Sequence, residues 1–136
     1  MTSDDLRSIG LFAGLPADEL ARVAAAGRPL HFEPGHVIVN EGEFSFSFYA
    51  IVTGAADVRR DGETVRRLGA GDVLGELGVV PQEGHRWSRR RSATVIATEP
   101  TQAICIDGDE LRRLANEIPA LADALAAVAE SRRDDR

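Results

Sequence analysis

Leu68-Gly69-Ala70-Gly71-Asp72-Val73-Leu74-Gly75-Glu76-Leu77-Gly78 is the stretch that decides the fold, together with Arg91-Ser92-Ala93-Thr94-Val95 further on. Apolar pairs as short as Val73-Leu74, set between glycines, suit brief strands joined by tight turns, not helices. The polar groups in the same stretch suit a sugar phosphate. Gly75 lets backbone approach a ligand closely and expose N–H groups to an anion. Glu76 is an acceptor for a ribose 2′-hydroxyl, which must donate. Arg91 has the fork geometry for a bidentate, charge-assisted pair with two exocyclic phosphate oxygens.

The same punctuation extends outward on both sides. Glycines stand at 35, 42, 54, 62, 69, 71, 75 and 78. Between them lie Leu30 and Phe32, Val37 to Val39, and the β-type run Tyr49 to Val52. Asp57 to Val65 reads as a hairpin, because Asp61-Gly62 suits a two-residue primed turn. Strand patterning returns at Ala93 to Thr98 and Gln102 to Ile106.

Both ends have helical period. Leu6, Ile9, Leu11 and Phe12 form a first apolar cluster. Pro16 stands at the start of a helix that continues through Leu20, Val23 and Ala24 and stops at Gly27. Near the other end, Asp107 or Asp109 caps a helix through Leu111 and Leu114. A second helix starts near Pro119 and carries Leu121, Leu125 and Val128 on one stripe.

Bulk properties narrow the function. The chain has 136 residues, 43% of them hydrophobic, enough for one domain with a real core. Its net charge of −6 argues against a nucleic-acid surface as the main activity. All 16 basic residues are arginine, which weakens any inference from a single Arg. Cys105 is the one cysteine and reads as a buried small hydrophobe. His31, His36 and His85 show no metal-ligand spacing, and no nucleophile–base motif stands out. No apolar run is long enough for a membrane span, and the first residues have no signal-peptide core. The expectation is a cytoplasmic, non-enzymatic protein without a cofactor.

These residues resemble the cyclic-nucleotide-binding domain shared by bacterial catabolite activator protein and the regulatory subunits of cAMP-dependent protein kinase. The resemblance runs from about Leu11 to Val128. It includes Leu11-Phe12-Ala13-Gly14-Leu15, Pro34-Gly35-His36-Val37-Ile38, Glu41-Gly42, Phe48 to Val52 with Gly54, and Gly71-Asp72. The family's phosphate-binding cassette corresponds to Leu74, Gly75, Glu76, Leu77 and Gly78, then Arg91, Ser92 and Ala93. The resemblance implies a mainly β fold with flanking helices: a double-stranded β-helix, or jelly-roll-like β-roll, of about eight strands. One domain, 1–136, divides into a helical N-terminus at 1–27, the β-roll at 28–106 and C-terminal helices at 107–131. The implied ligand is cAMP or cGMP, sensed through movement of the cassette and the C-terminal helices.

Three departures from the family pattern stand out. Leu74 replaces an aromatic residue. The acidic residue that supports the cassette arginine is missing near Phe46, with Glu43 as a substitute. Glu76 and Arg91 are 15 positions apart, wider than the family's usual spacing, so Val79 to Arg90 holds an insertion. Two registers follow: Arg86 keeps the family spacing, whereas Arg91 keeps the Arg-Ser-Ala phrase. Three readings stay open at this stage: a ligand-competent sensor, a degenerate module kept for protein interaction, and a ligand-sensing fragment of a transcription regulator. Expected partners are the nucleotide and a second copy bound through the C-terminal helix, or an unknown protein, with no DNA-binding element or membrane contact.

Overall fold

The computed structural model describes residues 3–40, 47–74 and 93–131. In chain order the elements are α1 (Ser3–Arg7), α2 (Ala17–Ala26), β1 (Arg28–Phe32), β2 (Val37–Val39), β3 (Ser47–Thr53), β4 (Ala55–Arg60), β5 (Glu63–Gly69), β6 (Val73–Leu74), β7 (Thr94–Ala97), β8 (Thr101–Asp107), α3 (Gly108–Glu117) and α4 (Pro119–Ser131).

The hairpin of β4 and β5 is the most local piece. Asp61 and Gly62 take φ of 54° and 84°, the two left-handed residues of a type I′ turn. Arg60 therefore faces Glu63, and pairing runs back to Ala55 and Gly69. Elsewhere the chain alternates between two four-stranded antiparallel sheets, ordered β1-β8-β3-β6 and β2-β7-β4-β5. This is the mainly β roll with flanking helices that the sequence leads one to expect.

Strand alternation sends side chains to two apolar clusters. Val39, Ile51, Ala56, Leu68, Leu74 and Val95 meet between the sheets, with Ile38, Tyr49 and Val58 packed at the margin. Phe48, Ala50, Val73, Ile104 and Ile106 face the other way, onto the helices. There the N-terminal segment contributes Leu6, Ile9 and Phe12, with Phe12 edge-on to Phe48 at 6.1 Å between ring centres. Each fully buried Leu, Ile or Phe contributes about 1.5–3 kcal/mol. The helical layer, rich in these residues, is therefore as structural as the roll.

Helix α2 begins at Pro16 without a side-chain cap, but Asp18 and Glu19 in its first turn oppose the helix dipole. It ends at Gly27 in an extended conformation, not a left-handed one. The reason for glycine here is close packing: a Cβ would lie 2.5 Å from Ile104 Cγ2. Helix α3 is capped by Asp107, whose side chain accepts from Glu110 N at 3.3 Å. On its outer face Arg113 pairs with Glu110 and Glu117, and Glu117 also pairs with Arg22 of α2. The hydrogen bond to Glu110 holds the Arg113 guanidinium above its ordinary pKa.

The apolar stripe of α4 packs within the chain. Leu121 and Leu125 are buried in the helical cluster, and Val128 packs against it. The stripe is satisfied within the chain, beside Leu111, Leu114 and Ile118.

Candidate functional site

The turn that leads into β6 is held by four hydrogen bonds. Asp72 Oδ2 accepts from Gly69 N at 2.8 Å, and Asp72 N donates to Gly69 O at 3.0 Å. Gly71 N donates to Ile51 O and Ile51 N donates to Asp72 O, both at 2.8 Å. The Gly-Asp phrase thus fastens the Gly69–Asp72 turn to the middle of β3. Asp72→Ala leaves Gly69 N without its acceptor, at a cost of about 1–3 kcal/mol. Urea unfolding should show that loss as a lower midpoint with an unchanged slope. The sequence flagged Asp72 only as part of a motif; its role as a turn lock becomes visible in the structure.

Beyond the turn, β6 places Val73 and Leu74 opposite Ala50 and Tyr49. Leu74 is 6% exposed and points between the sheets. The chain returns at Ala93, 7% exposed, and enters β7, where Thr94 faces Arg59 and Val95 faces Val58. Strand β6 lies at the edge of one sheet, and β7 lies inside the other. Leu74 and Ala93, the described residues on either side of segment 75–92, are therefore buried at different sheets of the roll. Gly75, Glu76, Leu77, Gly78, Arg91 and Ser92 lie outside the described residues, as do Glu43, Phe46 and Arg86. The structure thus brings Leu74 and Ala93 to the same roll.

The roll interior near these anchors is apolar and aromatic. Phe32 and Tyr49 meet edge-on at 6.5 Å between ring centres. Ile38, Tyr49 and Val58 stay partly exposed around the buried intersheet cluster. On the opposite face of the second sheet, Asp57 is nearly buried between Arg67, 3.4 Å away, and Arg59, 3.9 Å away. Nothing in the sequence pattern singled out Asp57. Among the described residues no group of His, Cys, Asp and Glu is arranged to hold a metal ion. No helix among them is long and apolar enough to cross a membrane.

The family profile described as "Cyclic nucleotide-binding domain" matches residues 29–117, from β1 through α3. The chain belongs to that family. Cyclic-nucleotide-binding domains are ligand-binding regulatory units, and the geometry above is consistent with one. Among solved structures, the regulatory domain of Toxoplasma gondii PKA with cAMP superimposes with a TM-score of 0.78 at 28% identity. That match covers 96% of this chain and 49% of the other. A protein named as cyclic nucleotide-binding from Geobacter metallireducens shares the fold, with a TM-score of 0.79, 21% identity and 97% and 98% coverage. A protein named as a potassium channel from Rhodopseudomonas palustris is 29% identical over 127 residues, covering 91% of this chain and 29% of that protein. The chain thus spans less than a third of that relative and about half of the Toxoplasma one.

Proposed function

We propose that this cyclic-nucleotide-binding domain is a ligand-competent sensor of cAMP or cGMP. The match to the family across β1 to α3 carries the reading. Leu74 and Ala93 support it, because the residues flanking segment 75–92 are both buried in the roll. In this reading Gly75 and Gly78 bring backbone N–H groups to the cyclic phosphate. Glu76 accepts from the ribose 2′-hydroxyl, Arg91 pairs with the phosphate oxygens, and Ser92 adds a hydroxyl or N–H. Leu77 anchors the cassette on the core.

Reporting runs through the helices. Strand β8 continues without a break into α3, and α3 and α4 share one apolar cluster with the helix-facing side of the first sheet. A cassette pulled inward by the phosphate changes what that sheet edge offers the helices. The C-terminal partner, a second copy or another protein, reads the outward face of α4, because the inward stripe is buried. Nothing in this reading requires a cofactor or a bond-breaking step.

Calorimetric titration with cAMP and with cGMP tests the proposal, and saturable one-site binding of at least one is the expected result. A flat titration with both would instead make the chain an interaction module. Glu76→Gln should weaken the better ligand by about tenfold to a hundredfold, since a hydrogen bond to a charged group contributes about 1.5–3 kcal/mol. Its thermal midpoint should match the parent. Unchanged affinity would remove Glu76 from the site.

A further inference from the structure

A solvent-open cleft of about 330 Å³ lies where α2, β1, β3 and β8 meet, lined by Ala26, Ser47, Cys105 and the exposed Arg28 and Asp107. None of these is a cassette residue. Pairing explains why they converge: Arg28 faces Cys105 across β1 and β8, and Ser47 faces Asp107 across β3 and β8. Cys105 and Asp107, two apart in one strand, share a face. Arg28 is thus a diagonal neighbour of Asp107, at a spacing long side chains can span.

The charges in this cleft are of both signs. Arg28 makes no ion pair or hydrogen bond through its side chain among the described residues. Asp107 uses Oδ2 to cap α3, at the rather long distance of 3.3 Å from Glu110 N. Ala26 is the last residue of α2, whose last turn holds no basic side chain. A helix C-terminus carries unsatisfied carbonyls and partial negative charge. An anion alone would meet Arg28 but also Asp107 and that helix end. A cation alone would meet Asp107 and the helix end but also Arg28. A compact molecule with both charges satisfies every group. The volume is at the small end of the range for ligand sites, about 300–1,000 Å³.

We propose that this cleft is a site for a small zwitterion of the free α-amino-acid class, separate from the nucleotide cassette. Its carboxylate takes the Arg28 fork, and its ammonium faces Asp107 and the end of α2. Ser47 and Cys105 form the floor. The site bridges the α2–β1 and β8–α3 junctions, so occupancy stabilises the arrangement in which the helices dock on the roll.

The test is an NMR titration of the whole chain, without nucleotide, using L-alanine, acetate and methylammonium at matched ionic strength. L-Alanine should produce saturable shifts at residues 26–28, 47 and 105–107. It should bind at least about tenfold more tightly than either half alone. Arg28→Gln and Asp107→Asn should each weaken L-alanine by about tenfold or more, and Asn keeps the helix cap. Acetate or methylammonium binding as tightly as L-alanine would overturn the proposal, as would the absence of saturable shifts. L-Alanine affinity unchanged in both variants would also overturn it. The comparison of three ligands on the parent chain requires no variant to fold. Because nucleotide is absent, the result stands whether or not the cassette binds cAMP.

Discussion

Gly54→Ala is expected to lower the thermal unfolding midpoint by about 6–24 °C, because among the described glycines it combines a positive φ with a clash against backbone. Gly54 turns the chain from β3 into β4 with φ of 105°, a conformation L side chains rarely adopt. An added Cβ would lie 2.6 Å from both Pro100 O and Thr101 Cα, atoms of the backbone that cannot rotate away. Thr101 cannot retreat either. It is fully buried, and its hydroxyl donates to Glu99 O at 2.8 Å, with Ala55 N and O also within reach. Strain at a positive φ costs about 1–3 kcal/mol, and overpacking adds about 1–3 kcal/mol. At this chain length, each kcal/mol shifts the midpoint by about 3–4 °C. Gly62→Ala is the control: it has φ of 84° but open space around the added Cβ. It should cost about 1–2 kcal/mol. Circular dichroism melts of the two variants separate clash from strain, and equal midpoints would refute the packing account.

Arg91→Ala should weaken cyclic nucleotide by at least about a hundredfold, because a bidentate charge-assisted pair is lost. Arg86→Ala should change affinity by no more than about twofold, as for an ordinary surface substitution. The strand after the cassette favours this choice. Ala93 is buried, β7 starts at Thr94, and Val95 is 5% exposed between the sheets. The Arg-Ser-Ala phrase runs straight into this strand, ending at Ala93 immediately before Thr94. Were Arg86 the ligand, the residues at the same offsets would be Ser88, Arg89 and Arg90. An Arg at the Val95 position would bury an unpaired charge. The insertion therefore belongs in the loop before Arg91, where added length costs little entropy. Calorimetry on the matched pair decides, and a reversed pattern would move the phosphate site to Arg86.

Local signals were legible in the sequence. The Asp61-Gly62 turn and the start of α4 at Pro119 each depend on a few adjacent residues and lie where the pattern placed them, and the α3 cap is Asp107, one of the two candidates the pattern offered. Contacts between distant residues were not legible. Gly27 looked like a helix stop, yet its constraint comes from Ile104, far along the chain. The stripe of Leu121, Leu125 and Val128 showed that α4 has an apolar face, but periodicity cannot say which body covers it. Here it is the chain's own core. Asp57 and Thr101 carried no signal because their burial comes from partners on other strands. For the site, residue types and order named the cassette, while the wide Glu76–Arg91 gap left the register to be argued from β7.

The pairing of β1 with β8 also constrains how the protein is made. Arg28 cannot meet Cys105 until the segment between them has been synthesised. At about 5–20 residues per second, β1 waits roughly 4–15 s for its partner, with both edges open to wrong pairings. Pro29 and His31 shorten the usable edge, since proline donates no hydrogen bond and a half-exposed polar side chain discourages stacking. A nascent chain arrested before β8 should therefore hold the hairpin of β4 and β5 but no protected first sheet. Such an intermediate should depend on chaperones until the last strand leaves the ribosome.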